Sequence, residues 1–506
     1  MTLSQQQLDI NNWVIEGTGN AIIKARAGSG KTFTACYVAQ NMKGKVLLMA
    51  FNKKAAMELQ ARLNRMGCPH ATASTVHAAG LKLLKKISRF PKVNASKVFF
   101  ITEKYCQSED LSFARNFISK LVSLAKQSAF GVKGQTSIDD TQAWYDIITH
   151  HDISLEAEVD YYDLIEIAKK VLRDSNADTN NIDFDDMCYL PLIYDLSDPT
   201  YDWVIMDEAQ DTNVCRKLLC PRLARIGVRY MFIGDEGQAI YGFTGAENDS
   251  MNLLKEMFDC IELPLSICYR CGKNIITAAQ QFFPDIQAYE GNGDGSISFV
   301  TYDKFVADLS NMKFSKEDGI ICRNNAPNVA LAFALIRQGI GCRIEGRDLG
   351  NDLKKLVRKW KRVKDLNEFM VKLNELFVRE FEKASQAKLQ LLEDKLDTMI
   401  ILIERCQSLG QNDLYSLEKL IDGMFSDSSE GNLPDIITLS SIHKAKGLEW
   451  KRVYWLGDNQ FSPSKYANQE WMKEQEMHLQ YVACTRAMEE LIHITDCPTR
   501  RNKDAE

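Results

Sequence analysis

Short apolar, β-rich runs recur along this chain in two groups, and they restrict its fold more than any other feature. NAIIKA at 20–25, KVLLMAF at 45–51, DWVIMDE at 202–208 and YMFIGDE at 230–236 form the first group. SISFVTY at 296–302, GIICR at 319–323, IITLSSI at 436–442, RVYWLG at 452–457 and LIHIT at 491–495 form the second. Nearly continuous apolar runs suit strands buried on both faces, and helical patterns separate them. That combination calls for parallel sheets covered by helices. With 506 residues the chain exceeds what one core usually organises. Two α/β cores are expected, one for each group.

Each group is interrupted by a block with few strand signals. Residues 86–184 include FARNFISKLVSLAKQSAF. In 351–431, Leu366, Phe369, Met370, Leu373, Leu376 and Phe377 form a helical stripe. Leu389, Leu392, Leu396 and Met399 continue it on a second stretch, so the spacing predicts a helical hairpin packing on itself. The expected division is a first core at 1–85 and 185–262 with a helical insertion at 86–184. A second core at 263–350 and 432–506 carries a smaller helical insertion at 351–431.

The stretch KARAGSGKTFT, residues 24–34, follows the first strand run and precedes a helical pattern. A phosphate loop needs that context. Its backbone N–H groups must turn inward, so it needs small residues, here Ala27, Gly28, Ser29 and Gly30. Lys31 is placed to reach the β- and γ-phosphates and Thr32 to hold Mg²⁺. The helix start adds partial positive charge. The strict pattern wants glycine at 25, where Ala25 stands; that position opens the loop and need not touch phosphate. In DWVIMDEAQD, Asp207 and Glu208 end a strand run. One carboxylate there can bind Mg²⁺ and the next can orient or deprotonate the attacking water. A nucleoside triphosphate and Mg²⁺ are the expected ligands.

Bulk properties narrow the setting. Apolar residues make up 45% and charged residues 26%, an ordinary globular composition. The start MTLSQQQLDI lacks the pattern of a signal peptide, and no apolar run approaches membrane-helix length. A soluble, cytoplasmic protein, neither secreted nor membrane-bound, is expected. The fourteen cysteines are scattered, and Cys268 and Cys271 form the one C-x-x-C. No second pair lies near it and the seven histidines do not gather around it, so it reads as two ordinary thiols. The net charge of −6 leaves room for a basic channel inside an acidic body. The basic runs 81–92 and 353–364 border the insertions and are candidates for strand or duplex contacts.

Six motifs then fall in one order: AGSGKT at 27–32, DEAQD at 207–211, GDEGQAIYGFTGA at 234–246, YR at 269–270, HKAKGLEW at 443–450 and YVACTRA at 481–487. With them the sequence resembles the UvrD/Rep-type superfamily 1A DNA helicases, from about residue 3 to 496. Its C-terminal wording is also similar to the F-box DNA helicase branch, with no F-box ahead of the motor motifs. The resemblance implies two RecA-like parallel-sheet motor domains, each with a mainly helical insertion, the second one small. It implies ATP-driven movement on single-stranded DNA, 3′→5′, with unwinding at single/double-strand junctions in repair, recombination or replication. A translocase that displaces bound proteins is the alternative.

Roles carry over position by position. Gln7, in LSQQQ, resembles the glutamine that reads the adenine edge, and Gln238 the one that senses the γ-phosphate. Arg270 and Arg486 match the two arginine fingers, and Glu449 the motif that contacts the ribose or nucleotide. A finger reaching the transition state from another domain is worth roughly 10³–10⁵ in rate, about 4–7 kcal/mol, and acts only when the cleft closes. Phe51 and Lys54, in AFNKKAAMEL, match the first DNA-contacting motif. Thr75 and His77, in STVHAAG, match the second. Tyr241 and Phe243 match the stretch that touches bases, and His443 opens a further motif assigned to DNA. Aromatic faces stack on any base, which gives grip without sequence preference. Two departures stand out. Thr244 occupies the place of the family's arginine, and Arg26 lies where the family mostly has glycine. Arg26 is therefore expected to supply the missing charge near the third motif.

Overall fold

Alternation along the strands sorts the first half of the chain into two cores. Ala21 and Ile23 bury on one side of their strand and Ile22 on the other. Val46, Leu48 and Ala50 oppose Leu47 and Met49 in the same way, as Trp203 and Ile205 oppose Val204 and Met206. A sheet with both faces buried must be covered by helices twice over.

The computed structural model describes residues 3–108, 111–153, 155, 160–242, 249–338, 340, 342–360, 363–382, 384, 386–426 and 437–498. The chain forms two units, Met1–Ile267 and Cys268–Glu506. In the first, strands β1 (Asn20–Ala25), β2 (Val46–Ala50), β3 (Ala71–Thr75), β4 (Tyr201–Met206), β5 (Ala224–Gly234) and β6 (Cys260–Leu265) make one sheet. Its order is β3-β2-β4-β5-β1-β6, and every pairing is parallel. In the second unit, β7 (Ser296–Thr301), β8 (Asp318–Cys322), β9 (Cys342–Glu345), β10 (Phe425–Ser426), β11 (Ile437–Ser441), β12 (Trp450–Leu456) and β13 (Ala487–Thr495) pair in the order β7-β13-β12-β8-β11-β9-β10. These too are all parallel. Two RecA-like parallel-sheet domains are thus present. Among the described residues, no helix is long and apolar enough to cross a membrane.

Helices α1 (Gln5–Glu16), α2 (Lys31–Ala39) and α3 (Lys53–Arg65) cover one face of the first sheet. Ser4 and Gln7 form a reciprocal capping box that starts α1. Gln6 pins α1 to the end of β6 through both its amide atoms, at 2.8 and 3.0 Å from Ser266. Arg229 holds the other end, with its guanidinium carbon 4.3 Å from the rings of both Trp13 and Trp203.

The other face carries α4 (Val76–Leu84) and the helices of 97–193. These helices meet on a buried ionic knot. Lys126 is fully buried and reaches Asp183 at 2.6 Å and Asp186 at 2.7 Å. Lys97 reaches Asp186 at 2.7 Å and the Ser175 carbonyl at 2.7 Å. Four separate helices are tied at this point without exposing a charge.

The hairpin helices of 351–431 pack on each other and also on the second sheet. Leu366, Phe369, Leu373 and Phe377 on one helix and Leu392, Leu396 and Met399 on the next do face inward. They join one continuous core with Ile320, Ile344 and Leu439 of the second sheet. A stripe wider than one helix partner needs a second surface, and the helix Asn325–Arg337 supplies it.

The knot gives a direct test of what holds the 97–193 helices. Lys126→Met leaves Asp183 and part of Asp186 buried without their cation, and a loss of about 3–5 kcal/mol is expected. Urea unfolding of the full chain reads it. A loss below about 1 kcal/mol would show that water reaches the knot.

Candidate functional site

Parallel strands place the residues that follow them along one edge of the sheet. β1 runs into the loop 26–30, β4 into Asp207 and Glu208, and β5 into Asp235 to Gln238. β2 leads to Phe51 and β3 to Thr75 and His77. These residues therefore gather along the C-terminal edge of the first sheet.

Gly28 and Gly30 take φ of +67° and +81°, which only glycine adopts freely. Arg26 N–H donates to the Leu265 carbonyl at 3.0 Å, and Ser29 N–H to the Arg26 carbonyl at 3.2 Å, closing the loop. Ala27 is fully buried beneath it. Ser29 Oγ is buried and lacks a hydrogen-bond partner among the described residues. Thr32 Oγ1 lies 3.3 Å from Asp207 Oδ2, and Lys31 Nζ lies 3.7 Å from Glu208 Oε2. A hydroxyl beside a carboxylate is an oxygen donor set suited to Mg²⁺. An open glycine loop, a free hydroxyl and an ammonium suit a polyphosphate. The residues present fit both.

The electrostatics are strained in one place. Burial, and then the neighbouring Glu208 carboxylate, push Asp207 up to about 6, against the pull of Lys31. Glu208 itself sits at φ +55°, a left-handed conformation that costs a non-glycine residue of order 1 kcal/mol. That turn aims its carboxylate back across the strand end toward Lys31.

Two residues that the motif reading passes over join the pieces. Gln210 donates from Nε2 to Glu208 Oε2 at 2.6 Å, and its Oε1 accepts the Asp235 N–H at 3.0 Å. Asp235, fully buried, accepts from Gln238 Nε2 at 2.6 Å and from Gly237 N–H at 3.1 Å. Arg26 Nη1 lies 3.6 Å from Asp235 Oδ1, so its guanidinium faces the third motif and not solvent. The signal for both was their place inside DEAQD and GDEGQ. Gln7 lies at the loop's edge: Oε1 accepts the Ser4 N–H at 3.0 Å and Nε2 donates to Thr34 Oγ1 at 3.2 Å.

Beside this network Phe51 and Tyr241 stack, with centroids 5.8 Å apart and planes 6° from parallel. Burial and the charges of Asp211 and Glu208 hold the Tyr241 phenol above its ordinary range. Thr75 caps α4 by accepting the Ala78 N–H at 3.1 Å. Burial, then the charge of Arg216, push His77 down to about 4, so it is a neutral imidazole at physiological pH. Lys54 is exposed in the first turn of α3. Phe243 and Thr244 lie outside the described residues.

The second unit gathers its own candidates. Arg270 Nε lies 2.5 Å from Glu449 Oε2, and its Nη1 donates to the Thr485 carbonyl at 3.4 Å. Arg486 is 1% exposed and donates to the carbonyls of Val482 and Leu448, each at 3.0 Å. Burial and the like charge of Arg270 push it down to about 10. His443 lies on the helix Ile442–Ala445 that follows β11, and burial holds it well below its usual range. Cys268 and Cys271 are buried free thiols, as are nearly all the cysteines. No cluster of three or more metal-ligating side chains occurs among the described residues.

The basic runs are less open than their sequence suggests. Lys82 and Lys86 reach Asp198 at 3.0 and 3.8 Å. Lys354 reaches Asp422 at 2.5 Å and Arg358 reaches Glu418 at 3.0 Å.

Comparison with known proteins agrees with this geometry. Residues 4–259 match the family model of the UvrD/REP helicase N-terminal domain, and 297–496 that of the UvrD-like helicase C-terminal domain. The DNA helicase II homologue of Mycoplasma genitalium is 24% identical over 93% of this chain and 82% of its own length. The ATP-dependent DNA helicase PcrA of Staphylococcus epidermidis is 22% identical over 95% of this chain and 82% of its own. The ATP-dependent DNA helicase Rep of Buchnera aphidicola is 25% identical over 52% of this chain, and the match spans 42% of that protein.

Asp207 carries a measurable consequence. Its carboxyl titrates higher in the folded protein than in the unfolded chain, so the stability it contributes is complete below about pH 4 and is lost as pH rises through about 6. Without nucleotide or Mg²⁺, Asp207→Asn is expected to raise stability by up to about 3 kcal/mol at neutral pH, with no gain near pH 4. Thermal unfolding at both pH values measures it, and an equal gain at both would refute the cause given.

Proposed function

The chain belongs to the UvrD/Rep family of ATP-dependent DNA helicases, and on that premise we propose that it hydrolyses ATP to move along single-stranded DNA and open duplex at single/double-strand junctions. The observation that carries this reading is the unbroken link from Lys31 through Glu208, Gln210 and Asp235 to Gln238. The aromatic pair Phe51 and Tyr241 lies on the same strand ends.

Bound ATP with Mg²⁺ brings the bond to be cleaved and the cation that neutralises its phosphates. The N–H groups of Ala27 to Gly30 cradle those phosphates and Lys31 reaches the terminal ones. Thr32 and Asp207 hold the metal. Glu208, fixed by the Gln210 amide, orients and deprotonates water, and Gln238 reads whether the γ-phosphate is there. Gln7 takes the adenine edge. Arg270 and Arg486 supply charge to the transferring phosphoryl group, and Glu449 holds Arg270 and the ribose. Phe51, Tyr241 and Phe243 stack on bases, with Lys54, Thr75, His77 and His443 along the strand. Arg26 supplies at Asp235 the charge that Thr244 lacks.

The division into a motor core at 1–85 and 185–262, its insertion at 86–184, a second core at 263–350 and 432–506 and a small insertion at 351–431 belongs to this reading. So do 3′→5′ polarity, a place in repair, recombination or replication with proteins of those processes, and a cytoplasmic location at the nucleoid or in a nucleus. Family likeness supports them. A translocase that strips bound proteins is the second reading, because the hairpin of 351–431 is small for a duplex-engaging subdomain.

Two measurements decide between these. Lys31→Ala and Glu208→Gln should each lower ATP turnover about 10²–10³-fold or more while single-strand binding persists; normal hydrolysis by Glu208→Gln would refute its assignment. With ATP, a 3′-tailed duplex should be unwound and a matched 5′-tailed one left intact. Protein displacement without strand separation would favour the second reading.

A further inference from the structure

Arg216 is a charged side chain that the roles above do not use. It lies in the first turn of the helix Val214–Leu223, where its N–H donates to the N-cap Asn213 at 3.1 Å. A cation at that end opposes the helix dipole, so helix formation gives no reason for it. Its surroundings do. The guanidinium carbon lies 5.6 Å from the centroid of the Phe51 ring, and Nη1 donates to the Asp211 carbonyl at 3.1 Å. Phe51 in turn stacks on Tyr241. Beneath them lies a cavity of about 10 Å³, lined by Phe51, His77, Asp207, Glu208 and Arg216 among others. The Arg216 guanidinium therefore shares one small space with the Asp207 and Glu208 carboxylates.

We propose that Arg216 is a positioning residue that passes the state of the Phe51 and Tyr241 rings to the Asp207 and Glu208 carboxylates. This rests on the reading of the rings as base-stacking residues and of Glu208 as the group that activates water. A base entering the ring stack shifts Phe51. The guanidinium lies over that ring and is anchored at the Asp211 carbonyl, so it moves with the ring and changes the field across the cavity. DNA binding is thereby felt at the hydrolytic carboxylate through one side chain, over a path that stays within the first unit.

The test is ATP turnover of the full chain with and without saturating oligothymidylate. Arg216→Met keeps an unbranched apolar stem but removes the charge. It should retain its thermal midpoint and oligothymidylate affinity, yet lose about 10-fold or more of the ratio of DNA-stimulated to DNA-free turnover. Arg216→Lys keeps the charge without the planar face and should fall between. Should the methionine variant fail to fold, the ratio of stimulated to DNA-free turnover in the lysine variant carries the test. Wild-type stimulation in Arg216→Met would overturn the proposal. So would a change confined to the DNA concentration needed, which would make Arg216 a grip on the strand. A wild-type protein that DNA does not stimulate would overturn the reading of the two rings, and the proposal with it.

Discussion

The side-chain amide of Gln210 reaches in two directions at once, donating to Glu208 and accepting from the backbone of Asp235. That bridge joins two strand ends which the sheet alone would only set side by side. Asp235 extends it to Gln238 and faces Arg26. Lys31 closes it onto the phosphate loop. In a buried setting such a chain is stiff, because each member left alone would be an unsatisfied polar group. The first unit's chemistry depends on this chain holding together.

Around the bridge the protein gives up stability. Asp207 is buried where its charged form is disfavoured. Glu208 takes a left-handed backbone turn, and Arg216 stands at the wrong end of its helix. Each breaks a local rule, and all three line one cavity. Single departures of these kinds occur elsewhere in the chain, Ala129 and Asp259 among them, but here three lie together. The ionic knot around Lys126 shows the contrast: its charges are as deeply buried, yet each has its partner.

The strands missing from the sequence reading share a property. Ala71–Thr75 and Cys260–Leu265 are the two edges of the first sheet. The first is small and polar, and the second carries Pro264 and Glu262. An edge strand is paired on one side only and needs less apolar character, so no continuous run betrays it. Cys342–Glu345 and the two-residue Phe425–Ser426 escaped for the same reason, near one edge of the second sheet. Central strands were legible where both faces are buried, but the starts of Ala224–Gly234 and Ala487–Thr495 lay outside the apolar runs.

The candidate site divides in the same way. The phosphate loop, the paired acids and the arginines were readable because their chemistry demands particular residue types at short spacing along one segment. Gln210, Asp235 and Arg216 were not, because glutamine, aspartate and arginine mean little until their neighbours are known. By itself the sequence determined two parallel α/β units and singled out the candidate nucleotide residues, since apolar period and local motif are properties of contiguous chain. Only the tertiary structure decided that Arg26 faces Asp235 and that Phe51 stacks on Tyr241. Those partners are separated by some two hundred residues, and it is the closing of the sheet that brings their strand ends together.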